Sequence, residues 1–325
     1  MVQLVHQCER LLCAKSGPRL AARKLTFRTP MARPKAIALL AGLLAISLLG
    51  MGTAVPAQTE PPPASAGQPI VIGRSFLVPS RELGDARRVN VYLPDHYGEP
   101  GRRFPVLFLL DGGEKEDFHH VTGLAQITAA YDQGRELIVV GVEGRDRRRD
   151  LTSPSSVAAD LKLAPTSGGA SAYRRFLVRE LKPWVAARYR TDGHTALAGE
   201  SLAGLFTAET LLTAPGSFDD YIIVSPSLWW NGGALTRGAL TNLRAGNFAG
   251  RRAWIAFDEP APPAAAAARE RAVQAELELA FKSAGPAGLT WRVTRPGEGH
   301  GGIYHPALLQ AFRGLYAKPP SPTAQ

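Results

Sequence analysis

From residue 70 onward, apolar positions gather into short runs that alternate with longer stretches of helical spacing. Residues 70–78 and 88–93 are β-rich, parted by the polar turn 81–87, and predict an antiparallel pair. Residues 104–110 read Phe-Pro-Val-Leu-Phe-Leu-Leu, an unbroken apolar run that suits a strand covered on both faces. Runs at 137–142 and 221–224 read the same way, and 196–198, 254–257 and 289–293 complete the series. Between them, residues 173–188 carry Phe176, Leu177, Leu181, Trp184 and Val185 close to one helical face. Residues 202–212 and 264–284 are further helices, the second rich in Ala, Glu and Arg. This order predicts an α/β fold: a mostly parallel central sheet, antiparallel at its entry, with helices on both faces. No internal repeat is present, so residues 70–317 are expected to form one domain, followed by a disordered tail at 318–325.

Composition changes this picture only at the front of the chain. The 325 residues carry 38 Lys and Arg against 28 Asp and Glu, a formal charge of +10. Residues 1–57 hold eight of those bases and one acid, Glu9, which leaves 30 against 27 for the remainder. A net +3 on that remainder gives no reason to expect a nucleic-acid or other polyanionic partner. The excess belongs to a leader. Met31-Ala-Arg-Pro-Lys35 is a short positive segment, an uncharged apolar run follows at 36–50, and Thr53-Ala-Val-Pro-Ala57 has the small residues of a signal-peptidase site. Cleavage after Ala57 is the expectation, with an uncleaved anchor as the alternative; the run is short for a stable span. A periplasmic or secreted product follows, without stable membrane insertion once the signal is removed. Residues 1–30 resemble neither a signal nor a domain, and the start codon is expected at Met31. Both cysteines, Cys8 and Cys13, lie in that piece, so the exported chain has neither a disulfide nor a thiol nucleophile. Residues 58–69 are Pro-rich and read as an extended linker.

Three places read Gly-x-Ser: Gly73-Arg74-Ser75, Gly169-Ala170-Ser171 and Gly199-Glu200-Ser201. Only Ser201 stands directly between an apolar strand and an amphipathic helix, the setting of a nucleophile elbow; an ordinary serine N-cap is the plainer alternative. The sharp turn needs small neighbours. Gly199, Ala203 and Gly204 supply them, with Ala203 where the full five-residue motif has Gly. An oxyanion formed there needs two N–H donors, one from the residue after the serine and one from the loop after the early apolar strand. That loop is Asp111-Gly112-Gly113-Glu114, so Leu202 and Gly113 are the expected donors. A general base must follow the nucleophile, after the last strand. His300, in the Gly-rich segment at 296–302, fits better than His305, which precedes Pro306 and the final helix. The acid that orients the imidazole is expected after the strand at 254–257. Asp258 is the first choice and Glu259 the second, and Asp220 is less well placed.

Several segments together resemble the putative-esterase family of α/β-hydrolases, and within it the siderophore esterases of enterobactin- and bacillibactin-type trilactones. They are the run at 104–112, Asp146-Arg-Arg-Arg-Asp-Leu-Thr152, which resembles the family's Arg-rich loop after the next strand, Gly199-Glu-Ser-Leu-Ala-Gly-Leu205, Ser225-Pro-Ser-Leu-Trp-Trp230 and Gly297-Glu-Gly-His-Gly301. The likeness runs from about residue 70 to 315. It implies the α/β-hydrolase fold and hydrolysis of a small-molecule carboxylic ester, with no metal and no organic cofactor. It also implies a triad acid that is missing or displaced in some members, and the sequence at 257–261 departs from the usual turn there. Arg145, Arg147, Arg148 and Arg149 suit an anionic substrate such as a ferric catecholate; pairing of Arg147 or Arg149 with Asp150 is the structural alternative. Trp229 and Trp230 offer an aromatic wall or core packing. His119 and His120 lie near the oxyanion loop, with no further ligands nearby in sequence to make a metal site. A broad-specificity periplasmic esterase for acetyl or feruloyl esters, and a silent binding protein on the same scaffold, are the rival functions. The sequence leaves the oligomeric state open.

Overall fold

The computed structural model describes residues 69–261 and 263–317. The expected leader, most of the linker and the tail lie outside the described residues. The chain divides into residues 1–69 and residues 70–325, and the folded elements all belong to the second unit.

The strands are β1 (Arg74–Ser80), β2 (Asp85–Tyr92), β3 (Phe104–Leu110), β4 (Ile138–Val142), β5 (Thr191–Glu200), β6 (Asp220–Val224), β7 (Arg251–Ala256) and β8 (Leu289–Thr294). They form an eight-stranded sheet in the order β1-β2-β4-β3-β5-β6-β7-β8. β1, β2 and β4 pair antiparallel, and every pair from β4 across to β8 is parallel. The helices are α1 (Phe118–Ala130), α2 (Arg147–Leu151), α3 (Ala158–Leu163), α4 (Ala170–Arg175), α5 (Lys182–Ala186), α6 (Leu202–Thr213), α7 (Ala234–Ala245), α8 (Ala264–Ala284) and α9 (Tyr304–Leu315), with a π-helical stretch, Phe176–Leu181, joining α4 to α5. Among the described residues no helix is long and apolar enough to cross a membrane.

β3 shows why its run is unbroken. Every side chain in it is buried, but alternate ones serve different layers. Val106, Phe108 and Leu110 belong to the core layer that also takes in Phe206 and Leu211 of α6 and Leu277 and Phe281 of α8 on one face. Leu107 and Leu109 meet Val121, Leu124, Leu308 and Phe312 from α1 and α9 on the other. A strand with two dry faces has no polar position to offer.

Three expectations need correction. The first turn is shorter than 81–87, because Asp85–Arg87 already belong to β2. Arg87 is 1% exposed and donates to Asp85 at 2.8 Å and to Asp150 at 2.5 Å, so a charged side chain sits inside by virtue of two carboxylates. The hydrophobic 70–72 stretch is not a strand and is largely exposed, with Ile70 at 95%. The Arg-rich segment is the short helix α2, not a loop: Asp146 caps it by accepting the Arg149 N–H at 3.1 Å.

Candidate active site

β5 ends at Glu200 and α6 begins at Leu202, so the chain reverses within Ser201 alone. That residue adopts φ 62°, ψ −121°, a conformation costly for a side chain with Cβ. Its N–H donates to the Val224 carbonyl at 3.1 Å, and its carbonyl accepts from Leu205 N–H at 2.8 Å and from Ser227 N–H at 3.0 Å. Closeness accounts for the small residues. A Cβ on Gly199 would lie 2.6 Å from the Ala203 Cβ, and one on Gly204 would lie 2.5 Å from the Val224 carbonyl oxygen. Ala203, the departure from the five-residue motif, fits because its partner across the turn is Gly199. Gly199→Ala is therefore expected to lower stability by about 1–3 kcal/mol, the usual toll of overpacking. A thermal melt checks it; an unchanged midpoint would show that the turn has slack.

His300 follows β8 on the loop before α9. Its Nδ1 lies 2.7 Å from Ser225 Oγ and 3.7 Å from Asp258 Oδ2. Asp258 is buried and its Oδ1 accepts from Gln274 Nε2 at 3.0 Å. Glu259 is exposed, and its N–H donates to the Glu298 carbonyl at 2.8 Å. Of the two expected acids, Asp258 is the one brought near the imidazole. On α8, burial and the neighbouring Asp258 charge push the Glu270 carboxyl up to about 7. Asp220 serves elsewhere: it is fully buried in β6 and paired with His194 at 2.7 Å and Arg252 at 2.6 Å.

Ser201 and His300 are tied to one segment. Ser201 Oγ is 3.3 Å from Ser227 Oγ, two residues beyond the Ser225 that holds His300. These two serines were not singled out by sequence reasoning; the only signal was the Ser225–Trp230 motif of the family resemblance.

The oxyanion loop is shaped by a close crossing. A Cβ on Gly112 would lie 2.3 Å from Gly141 Cα, so the ends of β3 and β4 touch backbone to backbone. Gly112 N–H donates to Val142 at 2.9 Å and its carbonyl accepts from Asn90 Nδ2 at 2.9 Å. Asp111 takes φ 51° to turn the chain. Gly113 N–H, an expected oxyanion donor, is donated to Glu116 Oε2 at 2.7 Å, and that oxygen also accepts from Gly144 N–H at 3.3 Å. Part of Glu116 is exposed, yet its carboxylate lies against this loop. Desolvation and the nearby Asp111 charge push it up to about 7, against the opposing pull of the two N–H groups. An oxyanion at Gly113 requires that carboxylate to swing away.

The expected substrate residues separate in space. Arg147 donates to Asp111 at 2.8 Å and to the Glu200 carbonyl at 3.4 Å, beside the elbow. Arg149 turns to Asp150 at 2.8 Å, as the structural alternative has it, and so belongs to the Arg87 cluster. Trp230 is buried, with its indole N–H on the Ser153 carbonyl at 2.9 Å, whereas Trp229 is partly exposed. His119 is exposed. His120 Nε2 meets His305 Nδ1 at 2.9 Å, at an open groove of about 580 Å³ that also includes Leu124, Ile127 and Leu309. Among the described residues no three His, Cys, Asp or Glu side chains gather as a metal-binding group.

A mostly parallel sheet with a strained serine between β5 and α6 and a histidine after the last strand defines an α/β-hydrolase fold. The family model described as "Putative esterase" matches residues 80–277, and the chain belongs to that family. The chain is 32% identical over 153 residues to the ferri-bacillibactin esterase BesA of Bacillus subtilis, covering 41% of this chain and 50% of that protein. It is 32% identical over 166 residues to the siderophore triacetylfusarinine C esterase of Aspergillus fumigatus, covering 46% and 54%. The chain thus spans about half the length of the curated relatives it matches. An IroE-like serine hydrolase from Shewanella oneidensis superposes with a TM-score of 0.69 at 24% identity, over 75% of this chain and 80% of that one, a likeness of fold.

Proposed function

We propose that this protein is a serine carboxylic-ester hydrolase acting on siderophore-type trilactone esters, and that it is exported to the periplasm or beyond. The observation that carries the catalytic reading is the strained Ser201 at the head of α6, linked through the Ser225–Ser227 segment to His300. A helix N-terminus presents free N–H groups and a positive dipole end, which favour negative charge forming at that hydroxyl. His300, held at Nδ1, takes the Ser201 proton on Nε2 as Oγ attacks the ester carbonyl. Leu202 N–H receives the oxyanion, joined by Gly113 N–H once Glu116 withdraws. Collapse expels the alcohol, protonated by His300, and leaves an acyl-enzyme; the same imidazole then activates water to release the acid.

Support for the substrate class comes from the family and from the named activities of the two relatives. Arg147 lies beside the elbow and suits an anionic acyl group; His119, at the start of α1, follows the oxyanion loop in the chain, and Trp229 offers a partly exposed aromatic face. Arg149 and Trp230 contribute by holding α2 and the core beneath. Export rests on the signal-like segment at 31–57, which lies outside the described residues.

Covalent labelling with a fluorophosphonate, mapped by mass spectrometry, tests the mechanism. Modification at Ser201 that disappears in His300→Ala is the expected result. Folded protein that takes no label would point to a binding protein on a hydrolase scaffold. In labelled protein, cleavage of acetyl and feruloyl esters in preference to a catecholate trilactone would point to a broad esterase.

A further inference from the structure

β6 and β7 are parallel neighbours, so their C-terminal ends open onto the same edge of the sheet. That edge provides two places from which a side chain can reach the imidazole: just after β6, where Ser225 stands, and just after β7, where Asp258 stands. The two are not equally close. Ser225 Oγ is 2.7 Å from His300 Nδ1, a full hydrogen bond, whereas Asp258 Oδ2 is 3.7 Å away, beyond hydrogen-bond distance.

Ser225 is also more firmly seated than a chance contact would be. It is 3% exposed, its N–H donates to the Ala256 carbonyl at 2.8 Å, and it holds φ 39°, a value a non-glycine residue adopts only where its surroundings enforce it. The hydroxyl is thereby aimed from the end of β6 by the end of β7. Asp258 is restrained in the other direction, since Gln274 of α8 holds its Oδ1.

We infer that Ser225, not Asp258, is the positioning residue that directly holds the His300 imidazole. Asp258 acts one step behind, as a nearby negative charge. The inference rests on the esterase reading above. A hydroxyl can accept from Nδ1–H as well as donate to a bare Nδ1. The Asp258 carboxylate on the same side of the ring favours a proton on Nδ1, which leaves the lone pair on Nε2, the form a general base requires. The hydroxyl can go on accepting when the ring becomes cationic, and the Asp258 charge 3.7 Å away then favours that cation through space. Glu270 on α8 faces Asp258 and Glu298 shares the His300 loop, so both belong to the same electrostatic surroundings.

Kinetics of the full chain on a p-nitrophenyl ester test this with three variants. Ser225→Gly removes the hydroxyl yet accepts a positive φ. Ser225→Asp puts a carboxylate at the same place, in a residue type that also tolerates that backbone. Asp258→Asn removes the distant charge. Ser225→Gly is expected to lower kcat on the order of 10- to 100-fold, the worth of one hydrogen bond to a charged group, with KM nearly unchanged. The acid limb of its kcat/KM profile should move to lower pH, because the imidazolium has lost an acceptor. Ser225→Asp should restore kcat at neutral pH and move that limb to higher pH, and Asp258→Asn should lose less than Ser225→Gly. The inference is overturned if folded Ser225→Gly turns over within about twofold of the parent, or if only Asp258→Asn shifts the limb, outcomes that a hydroxyl of about 1.5–3 kcal/mol would not permit. Fluorophosphonate labelling of the parent separates the two levels: a parent unlabelled at Ser201 removes the esterase reading itself, before any variant is compared.

Discussion

Ser201→Ala is expected to lower turnover by about 10⁴- to 10⁶-fold while leaving the thermal midpoint close to that of the parent. The two halves of that expectation come from different features. Turnover should fall because, in the proposed mechanism, Oγ is the atom that becomes covalently acylated, and the elbow has a single residue between β5 and α6 to carry it. Ser227 Oγ is 3.3 Å away, but it belongs to the loop after β6 and not to the head of α6. Stability is spared because the N–H and C=O bonds of residue 201 to Val224, Leu205 and Ser227 are all backbone bonds, which alanine keeps. Alanine also inherits φ 62° at about the same strain. Steady-state turnover beside a thermal melt separates the effects. Near-parental turnover by the variant would place the chemistry elsewhere in the molecule.

Glu200→Gln should stabilise the protein, and more so as pH rises. Burial pushes the Glu200 carboxyl up to about 8, with Asp117, Asp111 and Asp258 pushing the same way and Arg147 opposing. The unfolded chain ionises this group near its model value of 4.5, so between there and about 8 the folded state holds the extra proton. A folded pKa above the unfolded one in a carboxyl means that folding stability falls as pH rises through that window, then levels. Full linkage would amount to about 5 kcal/mol; partial solvent access at the site reduces this to about 2 kcal/mol. For a domain of this size, that is about 4–8 °C in midpoint. Melts at pH 5 and pH 9 should show near-equal midpoints at the lower pH and a higher one for Glu200→Gln at the upper. Equal midpoints at both would mean that Glu200 ionises freely in the folded protein. A second consequence concerns catalysis. Glu200 directly precedes the proposed nucleophile Ser201, so its ionisation opposes the negative charge that would form there, and turnover should fall through an alkaline limb that glutamine removes.

Much of the architecture was legible because it rests on local pattern. The run at 104–110 could only be a strand with two dry faces, and the helix at 264–284 was marked by Ala-rich composition and ended by Gly285 in a left-handed conformation. Helix α1 was not legible. Its side chains Thr122 and Thr128 are polar yet buried, Thr128 satisfied by its own helix through the Leu124 carbonyl at 2.6 Å, so the apolar stripe is broken in sequence but continuous in space. The π-helical stretch Phe176–Leu181 was equally invisible, and so was the burial of Arg87, which depends on Asp150 far along the chain.

At the site, the strand–turn–helix setting marked Ser201 out from two other Gly-x-Ser sequences, while chain order reduced seven histidines to His300 and His305 and the Gly-rich segment favoured His300, because a fold with a parallel sheet presents its loops in a determined sequence. Sequence by itself therefore determined the succession of strands along the chain, the expected place of the elbow and the family resemblance. What it could not determine was distance. Whether Ser225 or Asp258 meets the imidazole, whether Glu116 rests on the Gly113 N–H, and whether Arg149 faces a substrate or Asp150 are settled by ångström-scale differences between residues tens of positions apart. Hydrogen bonds are lost within less than an ångström of stretch, whereas hydrophobic periodicity survives changes of register and angle. The tertiary structure decides the first kind of question, and the sequence pattern is sufficient for the second.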